Sequence, residues 1–182
     1  MARFLPAAAE TPWRLFFGPC PGLLVEAHGG LSIDDDALDE TMRGLADKRV
    51  ELLAAVIEDA EIQDIDYWDV EDAAARYRIA VERCPLPDFT APDADFLRRW
   101  QPIETRAIAI LRRGGGVAVH CLAGEGRSPL IAAYLTVRLG LTPDGALRAV
   151  RSALPDAIET EEQLGFLAAA TGPAERYGNS AQ

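Results

Sequence analysis

The segment 114–140, GGGVAVHCLAGEGRSPLIAAYLTVRLG, limits the possible folds more than any other part of the chain. Glycines end one helical pattern, and VAVH reads as a brief apolar strand. CLAGEG is a turn-rich loop, and Pro129 then stands in the first turn of a helix over 128–139 that Gly140 closes as C-cap. A strand running through a tight loop into a helix is one half of a βαβ crossover. That predicts a parallel sheet with helices packed on its faces.

The rest of the sequence agrees with this pattern. WRLFFGPCPGLLV (13–25) reads as strand, Gly/Pro turn, strand, and 31–50 as an amphipathic helix with Ser32 or Asp34 near its start. The apolar run 50–57 reads as a buried strand, the acidic stretch 58–72 as a linker, and 77–83 as a half-exposed strand. A short helix from Pro92 to Trp100 and a second from Pro102 to the glycines follow, and 141–155 and 160–172 each repeat cap, helix and breaker. The expected fold class is α/β: one domain over 1–182 with a core at about 12–172, a central, mostly parallel (mixed) sheet flanked by helices, and a frayed tail at 173–182.

A net charge of −11 repels nucleic-acid backbones and anionic lipids, so neither nucleic acid nor membrane is expected as a partner. No apolar run is long enough for a membrane span, and the N-terminal stretch is too short for a secretory signal. Three widely spaced cysteines give neither a zinc framework nor a disulfide scaffold, which points to a reducing, cytoplasmic setting with no metal or other cofactor.

The loop after His120 carries the chemistry. A strand end, glycines at 124 and 126 and a helix starting near Arg127 turn several backbone N–H groups and the helix's positive end toward one concavity, which suits a tetrahedral dianion. Cys121 at its base feels the same dipoles and the Arg127 guanidinium, which favour a thiolate nucleophile. Arg127 offers a planar fork for two phosphate oxygens, and Ser128 stands where a hydroxyl can donate to the sulfur. Cys-x5-Arg alone is a weak signal. Strand, glycines and Pro-led helix together make it specific, against the plainer reading of a buried cysteine before a turn.

VHCLAGEGRS with the helical segments after it resembles the cysteine-dependent protein tyrosine phosphatases, especially the compact dual-specificity branch; the likeness is close over 117–168 and looser over 13–100. The resemblance implies a protein tyrosine phosphatase-like fold. It makes Cys121 the nucleophile that forms a phosphocysteine, Arg127 the phosphate clamp, Ser128 the hydroxyl that aids departure of the thiolate, and His120 an orienter of the loop. Leu122, Ala123, Gly124, Glu125 and Gly126 would hold the phosphate through their amides. Asp88, in CPLPDFTAP after a strand, resembles the acid loop's aspartate: it would protonate the leaving oxygen and then serve as base toward water. Its plainer reading is a turn aspartate, and Asp93 and Asp95 are better placed in the first turn of a helix. Gln163 matches a glutamine that positions the hydrolytic water in the tyrosine-specific branch, and equally completes a capping box with Thr160.

The implied activity is phosphomonoester hydrolysis on phosphotyrosine, with phosphoserine and phosphothreonine as further targets, in proteins or small phosphomonoesters. Glu125, where lipid-directed relatives carry lysine, argues against inositides. A non-catalytic phosphate-binding module and a rhodanese-like sulfurtransferase are the alternatives. Cys84 could approach Cys121 as a redox partner but is expected as a small buried residue. Cys20 and His28 are expected in loops, and Trp13, Trp68 and Trp100 in core or rim packing.

Overall fold

The computed structural model describes residues 4–26, 28–63 and 65–172. The sheet has five strands: β1 (Leu5–Pro6), β2 (Arg14–Gly18), β5 (Val50–Ala55), β6 (Ala80–Arg83) and β7 (Gly116–His120), in the order β1-β2-β7-β5-β6. Only β1 is antiparallel; β2, β7, β5 and β6 all run parallel, with β7 at the centre pairing Gly18 to His120 on one side and Ala55 to His120 on the other. Every residue of β7 is buried, as a central parallel strand covered on both faces requires.

Helices α1 (Asp35–Asp47) and α3 (Tyr67–Arg76) cover one face of the sheet, over Leu53, Ala55 and Ala118. On the other face, α4 (Ala94–Arg112), α5 (Arg127–Leu139), α6 (Pro143–Ala153) and α7 (Glu161–Ala169) pack over Leu52, Ala54, Val117 and Val119. The alternation of strand side chains thus divides the core into two halves. A central mixed sheet with helices on both faces is the expected architecture.

Local signals set the helix ends. Asp34 caps α1 through Ala37 N, Asp93 caps α4 through Phe96 N, and Thr142 caps α6 through Gly145 N, each contact supporting its helix by about 1 kcal/mol. Gly140, with φ +119, closes α5 as expected.

The elements differ from expectation in three places. The stretch 58–72 is no linker: it holds α2 (Asp59–Gln63) and most of α3, because Tyr67, Val70, Ala73 and Ala74 form a buried stripe at helical spacing among the acids. Residues 31–33 are a strand, β4 (Leu31–Ile33), paired antiparallel with β3 (Leu23–Val25), so the first helix begins only after Asp34. The two helices expected around Pro102 are one, α4, with that proline inside it. Burial of Phe96, Trp100, Ile103, Ala107 and Ile110 on one continuous face outweighs the backbone hydrogen bond that proline removes. Trp100 is core, whereas Trp68 stands 78% exposed on α3, against the expectation of packing. Cys20, Cys84 and Cys121 are all buried and unpaired. The tail at 173–182 lies outside the described residues.

Candidate active site

The site forms at the carboxyl end of β7, where ligands gather in parallel α/β sheets. Residues 121–126 join β7 to α5, and three of this loop's carbonyls are taken by donors outside it. His120 Nδ1 donates to Cys121 O at 3.0 Å, Cys20 N to Leu122 O at 2.9 Å, and Ile158 N to Glu125 O at 3.1 Å. With those carbonyls held outward, the loop's N–H groups are left to face its centre. One of them, Gly124 N, points at Cys121 Sγ from 3.2 Å. Gly124 has φ +88 and lies so close to Pro19 that a Cβ would sit 2.5 Å from Pro19 N, so conformation and space both require glycine. Gly126 is the N-cap of α5 and has no side chain to cap it, leaving the helix's first amides to a ligand.

His120 is fully buried and stacks on Tyr67 with ring centroids 5.7 Å apart. The Cys121 carbonyl can only accept, which assigns the imidazole proton to Nδ1. Nε2 then accepts from the Tyr67 hydroxyl at 2.6 Å. Burial above all pushes the imidazole down to about 4; the bond to Cys121 opposes this, and the charges of Arg127 and Arg83 add to it. At neutral pH His120 is therefore uncharged, and it ties the first carbonyl of the loop to Tyr67. Tyr67 supports it, and nothing in the sequence marked that tyrosine except its place at the head of the unexpected helix α3.

Arg127 is buried, and its five donors divide into two edges. Nη1 and Nη2 grip Glu61 Oε2 and Oε1 at 2.7 and 2.8 Å, and Nη1 also donates to Leu86 O at 3.2 Å. That uses three donors on the far end of the fork and leaves Nε–H and one Nη2–H along its side, spaced for two oxygens of one phosphate. Glu61 is buried enough to push its carboxyl up, yet the Arg127 bond and the Glu58 amide hold it below the usual range. Sequence reading missed Glu61, because a glutamate in an acidic run looks like solvated surface.

Asp88 faces the free edge: its Oδ1 lies 3.0 Å from Arg127 Nε, though the N–H is not aligned for a hydrogen bond. The loop carrying it is fastened on both sides. Glu58 Oε1 accepts from Asp88 N at 3.0 Å, and from α7 Thr160 Oγ1 donates to Phe89 O at 3.2 Å and Gln163 Nε2 to Thr90 O at 3.2 Å. Asp93 and Asp95, its rivals in the sequence, are the α4 cap and a partner of Arg98 and Arg99.

Ser128 accepts from the Cys121 thiol at 3.5 Å and gives its own proton to Gly18 O at 3.0 Å, so it touches the sulfur but must turn before donating to it. Gln163 is the helix cap: its Oε1 accepts from Glu159 N and Thr160 N while Thr160 Oγ1 receives Gln163 N, the reciprocal capping box. Glu125 is exposed on the loop. Cys84, buried against Arg99, is held 3.7 Å from Arg99 Nη1.

A family model described as "Polymorphic toxin system, DSP-PTPase phosphatase" matches residues 30–140, which include Asp88, Cys121 and Arg127. "Probable protein tyrosine phosphatase type IVA B" of Dictyostelium discoideum is 31% identical over 97 residues, 53% of this chain and 59% of that protein. "PRL-1 phosphatase" of Drosophila melanogaster is 43% identical over 51 residues, 28% of each. The chain thus spans less than two thirds of either curated relative. Among solved structures, Tk-PTP in its active form is 27% identical with a TM-score of 0.64, covering 89% of this chain and 94% of that one. The kinase associated phosphatase is 19% identical with a TM-score of 0.69, covering 92% and 91%, and shows the shared fold. The chain belongs to the DSP-PTPase phosphatase family of polymorphic toxin systems, within the cysteine-based, dual-specificity-like protein tyrosine phosphatases.

Proposed function

We propose that this chain hydrolyses phosphomonoesters through a phosphocysteine on Cys121, with phosphotyrosine in proteins as the first substrate class. The observation that carries this reading is the side edge of Arg127, which opens between Asp88 and a loop that has three carbonyls, those of Cys121, Leu122 and Glu125, tied to donors outside it and one amide, Gly124 N, on Cys121 Sγ.

A phosphate dianion on that edge and on the amides of 122–126 brings its phosphorus toward Sγ. The thiolate attacks, the P–O bond breaks, and Asp88 in its protonated form supplies the proton that makes the leaving oxygen an alcohol. Glu61 keeps the fork flat and fixed while this happens. Phe89 supports an aryl leaving group: it sits beside Asp88, is 58% exposed, and has its backbone at φ +57, a conformation that costs a non-glycine residue energy. Glu125 in the loop disfavours polyphosphorylated inositides. A mere binding module has no use for Asp88 held on the arginine. We place the reaction in the cytoplasm on the strength of three unpaired cysteines, one of them the nucleophile.

The test is hydrolysis of an aryl phosphate by the purified protein in the presence of a chelator. Turnover should be lost in Cys121→Ser and Arg127→Ala. Full activity of Cys121→Ser, or a strict need for added metal, would refute the reading.

A further inference from the structure

The phosphocysteine of the first step has to be hydrolysed, and one carboxylate beside the loop has no other task. A Cβ built on Gly126 would overlap Glu159 Oε2, so the Glu159 carboxylate lies against the last glycine of the phosphate loop. The turn that aims it there is held from three sides. Ile158 N donates to Glu125 O at 3.1 Å, Gln163 Oε1 accepts from Glu159 N at 3.0 Å, and Arg151 donates to Ala157 O and Ile158 O at 3.0 and 3.3 Å. It is also strained. Ile158 is β-branched and buried, yet has φ +66, an outlier that persists only where its surroundings impose it and that clusters at functional sites.

The charges facing Glu159 are Glu125, Asp88 and Arg127, with Arg151 and Asp156 lining the same open cavity of about 500 Å³. Among the described residues no ion pair takes up Glu159, since Arg127 is gripped by Glu61 and Arg151 is spent on carbonyls. Partial loss of water on the side facing the loop first, then repulsion from Glu125 and Asp88, push its carboxyl above the usual range, with Arg127 opposing. Such a group is a stronger base than an ordinary carboxylate. Gln163, by contrast, has both lone-pair directions of Oε1 committed to the helix cap.

We infer that Glu159 is a second catalytic carboxylate, the base that takes a proton from the water that hydrolyses the Cys121 phosphocysteine. The inference rests on the proposed phosphatase reading and assigns one step of it. The water oxygen forms a bond to phosphorus as the P–S bond breaks. The electron pair of that bond returns to Sγ, the water's proton passes to a Glu159 carboxylate oxygen, and inorganic phosphate leaves. Of the two roles that the resemblance implies for Asp88, this leaves it the proton delivery of the first step and gives the base of the second to Glu159.

The experiment compares wild type with Glu159→Gln on 4-nitrophenyl phosphate, by steady-state and rapid-mixing kinetics. The expected result is a kcat lowered by about 10²-fold, with kcat/KM, which reports only steps through phosphoenzyme formation, kept within about threefold. Glu159→Gln should release one equivalent of nitrophenol per active site in a burst, and acid quenching should trap a phosphoryl group on Cys121. Formate should restore part of kcat in Glu159→Ala. Because Glu159 is exposed, unchanged thermal unfolding in both variants is expected. An unchanged kcat, or kcat and kcat/KM falling together without a burst, overturns the role of Glu159. A wild-type chain that releases no nitrophenol overturns the phosphatase reading itself, and this step with it.

Discussion

His120 makes stability depend on pH in a calculable way. An imidazole free in the unfolded chain takes a proton near pH 6.5, whereas the buried ring under the loop holds off until about 4. Because the folded value is the lower one, the unfolded state binds the extra proton first. Stability is therefore complete above 6.5 and is lost as pH falls toward 4, below which both states are protonated. From these two values the loss is about 2 kcal/mol at pH 5 and about 3 kcal/mol at pH 4. At pH 5 this corresponds to roughly 4–8 °C in Tm for a chain of this size. Carboxylates held low by arginines, such as Glu61, also lose stabilisation as pH falls, so the useful quantity is a difference. Urea unfolding of wild type and His120→Asn should be followed from pH 7.5 to 4. The asparagine variant is less stable at pH 7.5, and its deficit should shrink by about 2 kcal/mol at pH 5, since it has no imidazole to protonate. A deficit that stays constant across the range would refute the buried neutral imidazole.

Three further outcomes follow from the same geometry. Tyr67→Phe strips His120 Nε2 of its donor in a sealed site and should cost about 1–3 kcal/mol by chemical denaturation, while Trp68→Ala next to it should be near neutral. Glu61→Ala leaves the buried Arg127 without its partner and should destabilise by about 3 kcal/mol, with weaker protection by inorganic phosphate in thermal unfolding; undiminished phosphate protection would contradict the two-edge use of the guanidinium. Asp88→Ala should lower kcat/KM by about 10²-fold or more on a phosphopeptide with a poor leaving group and far less on an activated aryl phosphate; equal losses on both would remove Asp88 as the acid.

Legibility in the sequence followed range. The elements between Gly116 and Gly140 could be read, because strand, loop, Pro-led helix and C-cap are local and each residue type answers to its own backbone, whereas the bond from Ser128 to Gly18 O, 110 positions away, could not. The place of Asp88 beside Arg127 could be anticipated because a strand runs into a proline-bounded turn. Glu61 and Tyr67 could not, since their value lies in partners 66 and 53 positions away and the run around them looked like solvated acid. The stretch at 159–163 drew attention to Gln163, whose capping box is a local pattern, and away from Glu159, whose place against Gly126 is set by a left-handed isoleucine that no propensity announces. Pro102 misled in the opposite direction: a local breaker was overruled by a long buried face.

The carbonyls of Phe89 and Thr90 hang from the start of α7, and the same helix end fixes Glu159 against the phosphate loop. The family match at 30–140 stops well short of that helix. The matched portion thus holds the residues proposed to capture a phosphoryl group, while the helix end that fastens the loops of Asp88 and Glu159 lies beyond the matched residues. Changes in the TEEQ turn should therefore disturb both proposed steps at once, the proton delivered from the Asp88 loop and the water activated beside Glu159.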